Sequence, residues 1–225
     1  MGKKPRRDSR NSKDKLDWRL MKKDYIIESL QTMIPNPKCE LNYTSDYTLL
    51  IAILLSAQCL DKNVNKITPI LFGKFPTLKD LKYASIEEIV DIIKPLGLAN
   101  NKAKSIKELA TILVDQYDSK VPIDRQVLTT LPGIGIKTSG VFLVEFYNYN
   151  YLPVDTHIKR VSNRLGLVNE NYSINQIEET LSNFFDNTNL GQIHQLLVLF
   201  GRYICKSKSP ECNKCKFKGK CLLTR

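Results

Sequence analysis

Apolar residues recur at helical spacing along almost the whole chain, and nowhere does a period of two persist. That feature restricts the fold more than any composition figure, because a segment patterned every three to four residues cannot bury one face as a strand. Ile26, Ile27 and Leu30 begin the series between Asp24 and Met33, and Pro35 and Pro37 end that segment. Tyr47 to Gln58 follows, apolar almost all round and so expected at the centre, with Ser45 or Asp46 as its cap. Further helical segments lie near 61–72, 77–82, 85–94, 100–117, 124–130, 135–147, 155–164, 173–186 and 191–204. The connections are short and carry turn chemistry, as at Gly73 to Pro76, Pro95 to Gly97, Pro132-Gly133 and Asn148 to Pro153. The expected fold class is all-α, with about ten helices.

The 225 residues suffice for one large domain or two small ones. The longest uncharged apolar run, Leu49 to Ala57, is far shorter than the roughly 20 residues that span a bilayer, so no membrane partner is expected. The formal net charge of +11 sits at the ends: residues 1–23 carry ten Lys/Arg against three Asp, and residues 205–225 carry seven against one Glu. Basic ends on a near-neutral body suit contact with a polyanion, since each neutralised phosphate releases counterions; a solvated tail in a Lys-rich composition is the ordinary alternative. Residues 1–15 mix Lys, Arg, Ser, Asn and Asp without apolar periodicity and read as a disordered basic arm. No apolar signal segment follows, so a reducing cytosol is expected, where six cysteines serve as ligands or buried thiols rather than disulfides.

Four of those cysteines are spaced Cys205-x6-Cys212-x2-Cys215-x5-Cys221. Thiolates are soft ligands, and four on one short loop point to a metal centre. Zinc sites usually pair two Cys-x2-Cys knuckles; only Cys212 and Cys215 are so paired here, and the wide outer spacings favour an iron–sulfur cluster, with zinc or no metal as the alternatives. Cys39 and Cys59 stand apart and read as buried thiols.

The segment Leu131-Pro-Gly-Ile-Gly-Ile-Lys137-Thr-Ser joins a short helical stretch to a longer one. Gly133 and Gly135 permit a tight turn whose backbone N–H groups face outward at a helix N-terminus, which receives a phosphate; an ordinary helix connection fits the same residues. It is not a Walker A loop, which would place a glycine directly before the lysine. Lys137 follows inside the second helix, and Asp155 comes eighteen residues later in Pro153-Val-Asp-Thr-His157. Taken singly, Lys137 reads as a surface lysine and Asp155 as a helix N-cap.

Taken together, these segments closely resemble the endonuclease III family of DNA glycosylases, of the helix-hairpin-helix type with a Gly/Pro-rich loop and a catalytic Asp. The resemblance runs through Leu54-Leu-Ser-Ala-Gln58 with Asp61, Gly97-Leu-Ala-Asn-Asn-Lys-Ala103, Val121-Pro-x-Asp-Arg125, the hairpin with Lys137, Val154-Asp-Thr-His-Ile158 with Arg160 and Arg164, Gly201-Arg-Tyr203 and the 6-2-5 cysteine spacing. It implies a six-helix domain over 39–149 with the hairpin at its end, and a second domain combining 16–38 with 150–225 that holds a [4Fe-4S] cluster on Cys205, Cys212, Cys215 and Cys221. Duplex DNA containing damaged pyrimidines or abasic sites would lie in a groove between the domains, with Lys137 and Asp155 facing each other at its mouth.

The implied activity is bifunctional. Lys137 attacks C1′ as a nucleophile, the damaged base leaves, and the resulting imine allows β-elimination on the 3′ side, while Asp155 stabilises positive charge on the sugar. Gln58 and Leu98 are the expected wedges in the base stack, and Gly133, Gly135, His157, Arg160 and Lys208, with Lys206 beside it, the further DNA contacts. The expected setting is a monomer in a bacterial cytoplasm, associated with the nucleoid. Three departures bear on base preference or phosphate affinity: Cys59-Leu60 before the Asp, Ile136 before the lysine, and Thr129. The rivals are an adenine-specific relative, which would place a Glu in Tyr47 to Gln58 where none occurs, a mismatch-specific relative, and a non-catalytic helix-hairpin-helix module.

Overall fold

A computed structural model describes residues 22–224; the arm expected over residues 1–15 lies outside them. Eleven α-helices are found among the described residues: α1 (Lys23–Met33), α2 (Asp46–Leu55), α3 (Asp61–Lys74), α4 (Leu78–Tyr83), α5 (Ile86–Ile93), α6 (Ala99–Gln116), α7 (Arg125–Thr130), α8 (Ile136–Tyr147), α9 (Thr156–Arg164), α10 (Ile174–Phe184) and α11 (Leu190–Tyr203). Short 3-10 turns occupy Lys94–Leu96 and Cys212–Lys214. No helix is long and apolar enough to cross a membrane among these residues.

Helix starts follow the local chemistry. Ser45, Thr77, Ser85 and Ser173 each form a reciprocal capping box with the residue three positions on, which satisfies orphan donors at the starts of α2, α4, α5 and α10. Asp124, Asp155 and Asn189 cap α7, α9 and α11 through side-chain oxygens.

The chain divides into two compact units, one of Lys38–Pro153 and one built from its two ends, with the second part beginning at Val154. In the first unit α2 is central: Thr48 through Leu55 are all buried, and the helix lies against α3, α6 and α8. α4 and α5 pack on α6, whose inward stripe is Lys102, Ala103, Ile106, Leu109, Ala110 and Leu113. Each fully buried Leu or Ile contributes on the order of 1.5–3 kcal/mol, so this layer rather than helix propensity holds the unit together.

In the second unit α11 takes the central place, against α1 and α9. Gly201 makes the approach of α9 possible, because a Cβ there would stand 2.9 Å from His157 Cβ and 3.1 Å from Val161 Cγ2. Phe217 is fully buried, edge-on to Phe200 and Tyr25, so the cysteine-bearing loop shares the core of this unit. Tyr25 Oη donates to the Lys216 carbonyl (3.1 Å) and accepts from Lys220 Nζ (2.8 Å), and the Lys216 N–H donates to Met33 Sδ (3.4 Å). These contacts tie α1 to the loop near the other end of the chain.

Candidate functional site

The hairpin is α7, the turn 131–135 and α8. Its two glycines are there for different reasons. Gly133 has φ +75°, and a Cβ would fall 2.8 Å from Leu54 Cδ1 and 3.0 Å from Ser105 Cβ, so both backbone and packing demand glycine. Gly135 has φ −97° and ψ 179°, an extended geometry open to any residue, and a Cβ there would meet nothing. What its missing side chain leaves is bare backbone at the N-cap of α8, where no side chain caps the free N–H groups of the first turn. Lys137, the second residue of α8, is exposed, and Ile136 is half-exposed beside it. The Arg125 guanidinium lies over the Tyr151 ring (5.1 Å to the centroid) and donates to the Ile136 carbonyl at 3.4 Å, bracing the turn that carries Lys137.

Two other turns of this unit present exposed side chains. The helix expected over 47–58 ends at Leu55, so Gln58 stands beyond it, exposed, with φ 57°. A distant residue takes the place of the next helical bond: the Leu55 carbonyl accepts from Lys102 Nζ (2.9 Å), and the Cys59 N–H turns back to Ser56 instead of extending the helix. Leu98, 53% exposed, is the N-cap of α6 at φ 52°. Seven non-glycine residues among those described have positive φ; five are Asn, Asp or Ser, whose short polar side chains bond locally, and the other two are Gln58 and Leu98. Strain of this kind persists only where neighbours enforce it, and it gathers at working sites.

Lys102, within the segment Gly97 to Ala103, is a functional candidate that sequence reasoning does not single out. It is 5% exposed, and its ammonium donates to the Leu55 carbonyl and, at 3.2 Å, to the Leu96 carbonyl. Burial pushes its pKa below the ordinary lysine value, partly opposed by Cys59. The available signal was its phase, since Lys102 shares the spacing of Ile106, Leu109 and Leu113.

In the other unit Asp155 caps α9: Oδ1 accepts the Ile158 N–H at 2.8 Å and Oδ2 lies 2.9 Å from His157 Nδ1. A carboxylate only accepts, so Nδ1 carries the proton in that bond. The Asp155 side chain is 10% exposed, and both oxygens are held in place by α9. The plain reading of Asp155 as an N-cap is correct, and it fixes the orientation of the carboxylate.

Arg160, expected as a DNA contact, donates Nε to the Cys205 carbonyl (3.2 Å) and Nη2 to the Gly201 carbonyl (2.7 Å). Its guanidinium works within the protein, at the start of the cysteine loop. Arg164 adds bonds to the Cys205 and Lys206 carbonyls and to Cys205 Sγ at 3.4 Å. Lys206 pairs with Glu211 at 2.9 Å, whereas Lys208 is exposed.

Burial pushes the Cys215 thiol up; a hydrogen bond from the Phe217 backbone works against this, and Cys205, Cys221 and Cys212 then raise it further. The other three thiols therefore lie within electrostatic reach of Cys215. No three His, Cys, Asp or Glu side chains among the described residues are arranged to hold a metal ion. Four thiols on a loop anchored by Phe217, with a cationic donor on Cys205 Sγ, are a donor set suited to an iron–sulfur cluster, whose ligands surround a body larger than one ion.

The HhH-GPD superfamily of base excision DNA repair proteins matches residues 51–187, from within α2 to just beyond α10. The endonuclease III of Rickettsia conorii is 40% identical over 196 residues, 87% of this chain and 93% of that protein. The chain belongs to the endonuclease III family. The endonuclease III of Bacillus subtilis (strain 168) is 36% identical over 198 residues, 88% of this chain and 90% of its own length. A solved endonuclease III, trapped with DNA as a covalent intermediate in an estranged-adenine complex, matches with a TM-score of 0.87 at 37% identity, covering 92% of this chain and 96% of that one. A thermostable thymine-DNA glycosylase matches at 0.80 and 25% identity. Membership makes the chain a DNA glycosylase and AP lyase of base excision repair, with the endonuclease III fold.

Proposed function

We propose that the chain removes oxidised pyrimidines from duplex DNA and then cuts 3′ to the abasic site, with Lys137 as nucleophile and Asp155 as its charged partner. The observation that carries this reading is Lys137, exposed on the first turn of α8 behind the bare N-cap of Gly135. A relative of 37% identity that forms a covalent intermediate with DNA supports it.

In this reading, phosphate oxygens of the damaged strand accept from the uncapped N–H groups of the α8 N-terminus, which brings the sugar to Lys137. Nζ, as the free amine, bonds to C1′ while the bond from C1′ to the base breaks and the base departs with the electron pair. The Asp155 carboxylate, held by Ile158 and His157, stabilises the positive charge that develops on the sugar and accepts the proton released by nitrogen. The sugar opens to an imine. Loss of the C2′ proton then expels the 3′ phosphate, and water releases Lys137 from the cut strand. Gln58 and Leu98 fill the gap left by the extruded base, which is consistent with exposed side chains held on strained backbone. Lys208 and His157 add cationic and polar contacts, whereas Arg160 serves the loop.

Cys205, Cys212, Cys215 and Cys221 would hold a [4Fe-4S] cluster, which when bound organises residues 205–221 and supplies no electron to strand cleavage. The protein acts on DNA as a monomer in a bacterial cytoplasm, close to the nucleoid.

The deciding experiment adds borohydride during turnover on a duplex containing one thymine glycol. Wild-type protein should become covalently attached to DNA, and Lys137→Gln should give no adduct while still binding the duplex. Normal trapping by Lys137→Gln would place the nucleophile elsewhere, and binding without cutting by the wild type would make the chain a non-catalytic module.

A further inference from the structure

Lys102 is an unusual choice for the inner stripe of α6. Lysine is almost never fully buried without an acidic partner, and no carboxylate pairs with Lys102 among the described residues. An apolar side chain at this position would avoid the cost of removing an ammonium from water. What the ammonium supplies is a bond to each of two helix C-termini. Leu55 is the last residue of α2 and Leu96 the last of the 3-10 turn, and carbonyls at such ends are unsatisfied and carry partial negative charge. Three residues after the first lies Gln58; two residues after the second lies Leu98, which is also one turn before Lys102 on its own helix, with the Lys102 N–H donating to the Leu98 carbonyl at 3.0 Å. Gly97 and Leu98 both have positive φ, and the N-cap at Leu98 has no side-chain bond. One buried cation thus spans the roots of the two turns whose side chains are the candidate wedges.

We infer that Lys102 is a positioning residue that locks the turns 56–59 and 96–98 at a fixed separation, so that Gln58 and Leu98 enter the base stack as one unit. The inference rests on the wedge reading of those two residues. Without the tie, each turn relaxes toward ordinary backbone geometry and the wedges arrive out of step, which weakens the extrusion of the base and leaves the amine chemistry intact.

The test uses the full chain, a duplex with 2-aminopurine beside one damaged pyrimidine, and a single-stranded oligonucleotide with an abasic site, which has no stack to open. Lys102→Met keeps the stem and removes the ammonium. It should suppress the 2-aminopurine fluorescence rise and lower single-turnover base release from duplex by roughly 10- to 100-fold. Borohydride trapping on the single strand should stay within about twofold, since loss of the tie leaves α8 untouched. Lys102→Arg, which retains charge and donors, should recover part of the loss. In a Gln58→Ala/Leu98→Ala background, Lys102→Met should cost nothing further.

Equal losses on duplex and single strand would overturn the inference, because general destabilisation acts on both. A full additional loss in the wedge-free background would overturn it while leaving the wedge reading intact. A normal fluorescence rise from the Gln58→Ala/Leu98→Ala protein would instead defeat the wedge reading, and the inference with it. Each variant is melted first; if Lys102→Met does not fold, Lys102→Gln, an uncharged donor, runs the same cycle with the same readings.

Discussion

The two hairpin glycines separate fold from function when each is changed to alanine. At Gly133 the new Cβ is strained twice. The φ of +75° costs an L-residue about 1–2 kcal/mol, and contacts of 2.8 Å and 3.0 Å require neighbours to move. Leu54 meets the Cβ with a terminal methyl but is itself core-buried, and Ser105 meets it with its own Cβ, which cannot turn aside without moving α6. Overpacking of this kind costs about 1–3 kcal/mol, so Gly133→Ala should lose about 2–5 kcal/mol in total. For a chain of this size that lowers Tm by roughly 4–20 °C. At Gly135 the backbone is already extended and the space is open, so the alanine should cost about 1 kcal/mol or less, the ordinary penalty of a poorer N-cap. Its effect should fall on DNA: with the α8 N-terminus as the proposed phosphate seat, the methyl group obstructs the approach, and losing one charge-assisted hydrogen bond should weaken binding roughly 10- to 100-fold. Thermal melts and fluorescence anisotropy with a duplex carrying a stable abasic analogue measure the two effects. Equal melting temperatures would refute the packing argument at Gly133, and undiminished affinity of Gly135→Ala would refute the bare backbone as the phosphate seat.

Asp155 allows a similar separation, because asparagine caps helices as well as aspartate does: Asp155→Asn should melt within about 0.5 kcal/mol of wild type yet lose on the order of 100-fold or more in base release, whereas Asp155→Ala should also lose about 1 kcal/mol of stability. Urea unfolding beside single-turnover kinetics checks this, and a fully active Asp155→Asn would remove the carboxylate from the chemistry. Protein purified anaerobically should be brown with about four irons per chain, and Arg164→Met, which strips the donor from Cys205 Sγ, should lose iron to a chelator several-fold faster. Stoichiometric zinc without iron would refute the cluster. Lys102 also has a signature in pH. Burial lowers its pKa in the folded state, so the unfolded chain binds that proton more tightly, and stability rises as pH climbs through the window below the ordinary lysine value of about 10.4. The stability of wild type minus that of Lys102→Met should therefore increase as pH rises toward about 10.4; a flat or falling difference would contradict the burial of the ammonium.

Periodicity exposes each of the eleven helices among the described residues because each contributes an apolar stripe, and the caps Ser45, Thr77, Ser85 and Ser173 stand directly before those stripes. It overran α2 by three residues because nothing local to Gln58 says that a lysine 47 positions from Leu55 will take the Leu55 carbonyl. The same blindness hid the internal bonds of Arg160. Seen along the chain it is one more cation beside His157, and only the close approach of α9 and α11 at Gly201 turns its guanidinium onto the Cys205 carbonyl. Asp155 had two readings in the sequence, cap and catalytic carboxylate, and the N-cap geometry is what gives the carboxylate a fixed orientation. The joining of the chain's two ends into one unit had no periodic signature, since it rests on contacts such as Tyr25 with Lys220, 195 positions apart.

Five of the candidate residues stand at helix termini: Gln58 just past α2, Leu98 at the N-cap of α6, Gly135 and Lys137 at the start of α8, Asp155 at the N-cap of α9. An all-helical protein satisfies its backbone groups along each helix and leaves them open only at the ends, so the ends are where backbone can bind anything. N-termini offer donors and a positive field, suited to the phosphates of a nucleic acid. C-termini offer acceptors, and at Leu55 and Leu96 a buried ammonium occupies them. Changes in helix length should therefore be far more damaging to activity than substitutions midway along the same helices. Replacing the half-buried, core-peripheral Ile112 of α6 by Val tests this: it should leave the wedge turns and the hairpin untouched, costing about 0.5–1.5 kcal/mol of stability at most and less than a twofold change in duplex turnover. One alanine inserted after Leu98 should instead rotate Lys102 by about 100° around the α6 axis, away from both carbonyls, and abolish turnover on duplex DNA. Retained activity in the insertion variant would show that the register of α6 against the two turns is not what positions Gln58 and Leu98.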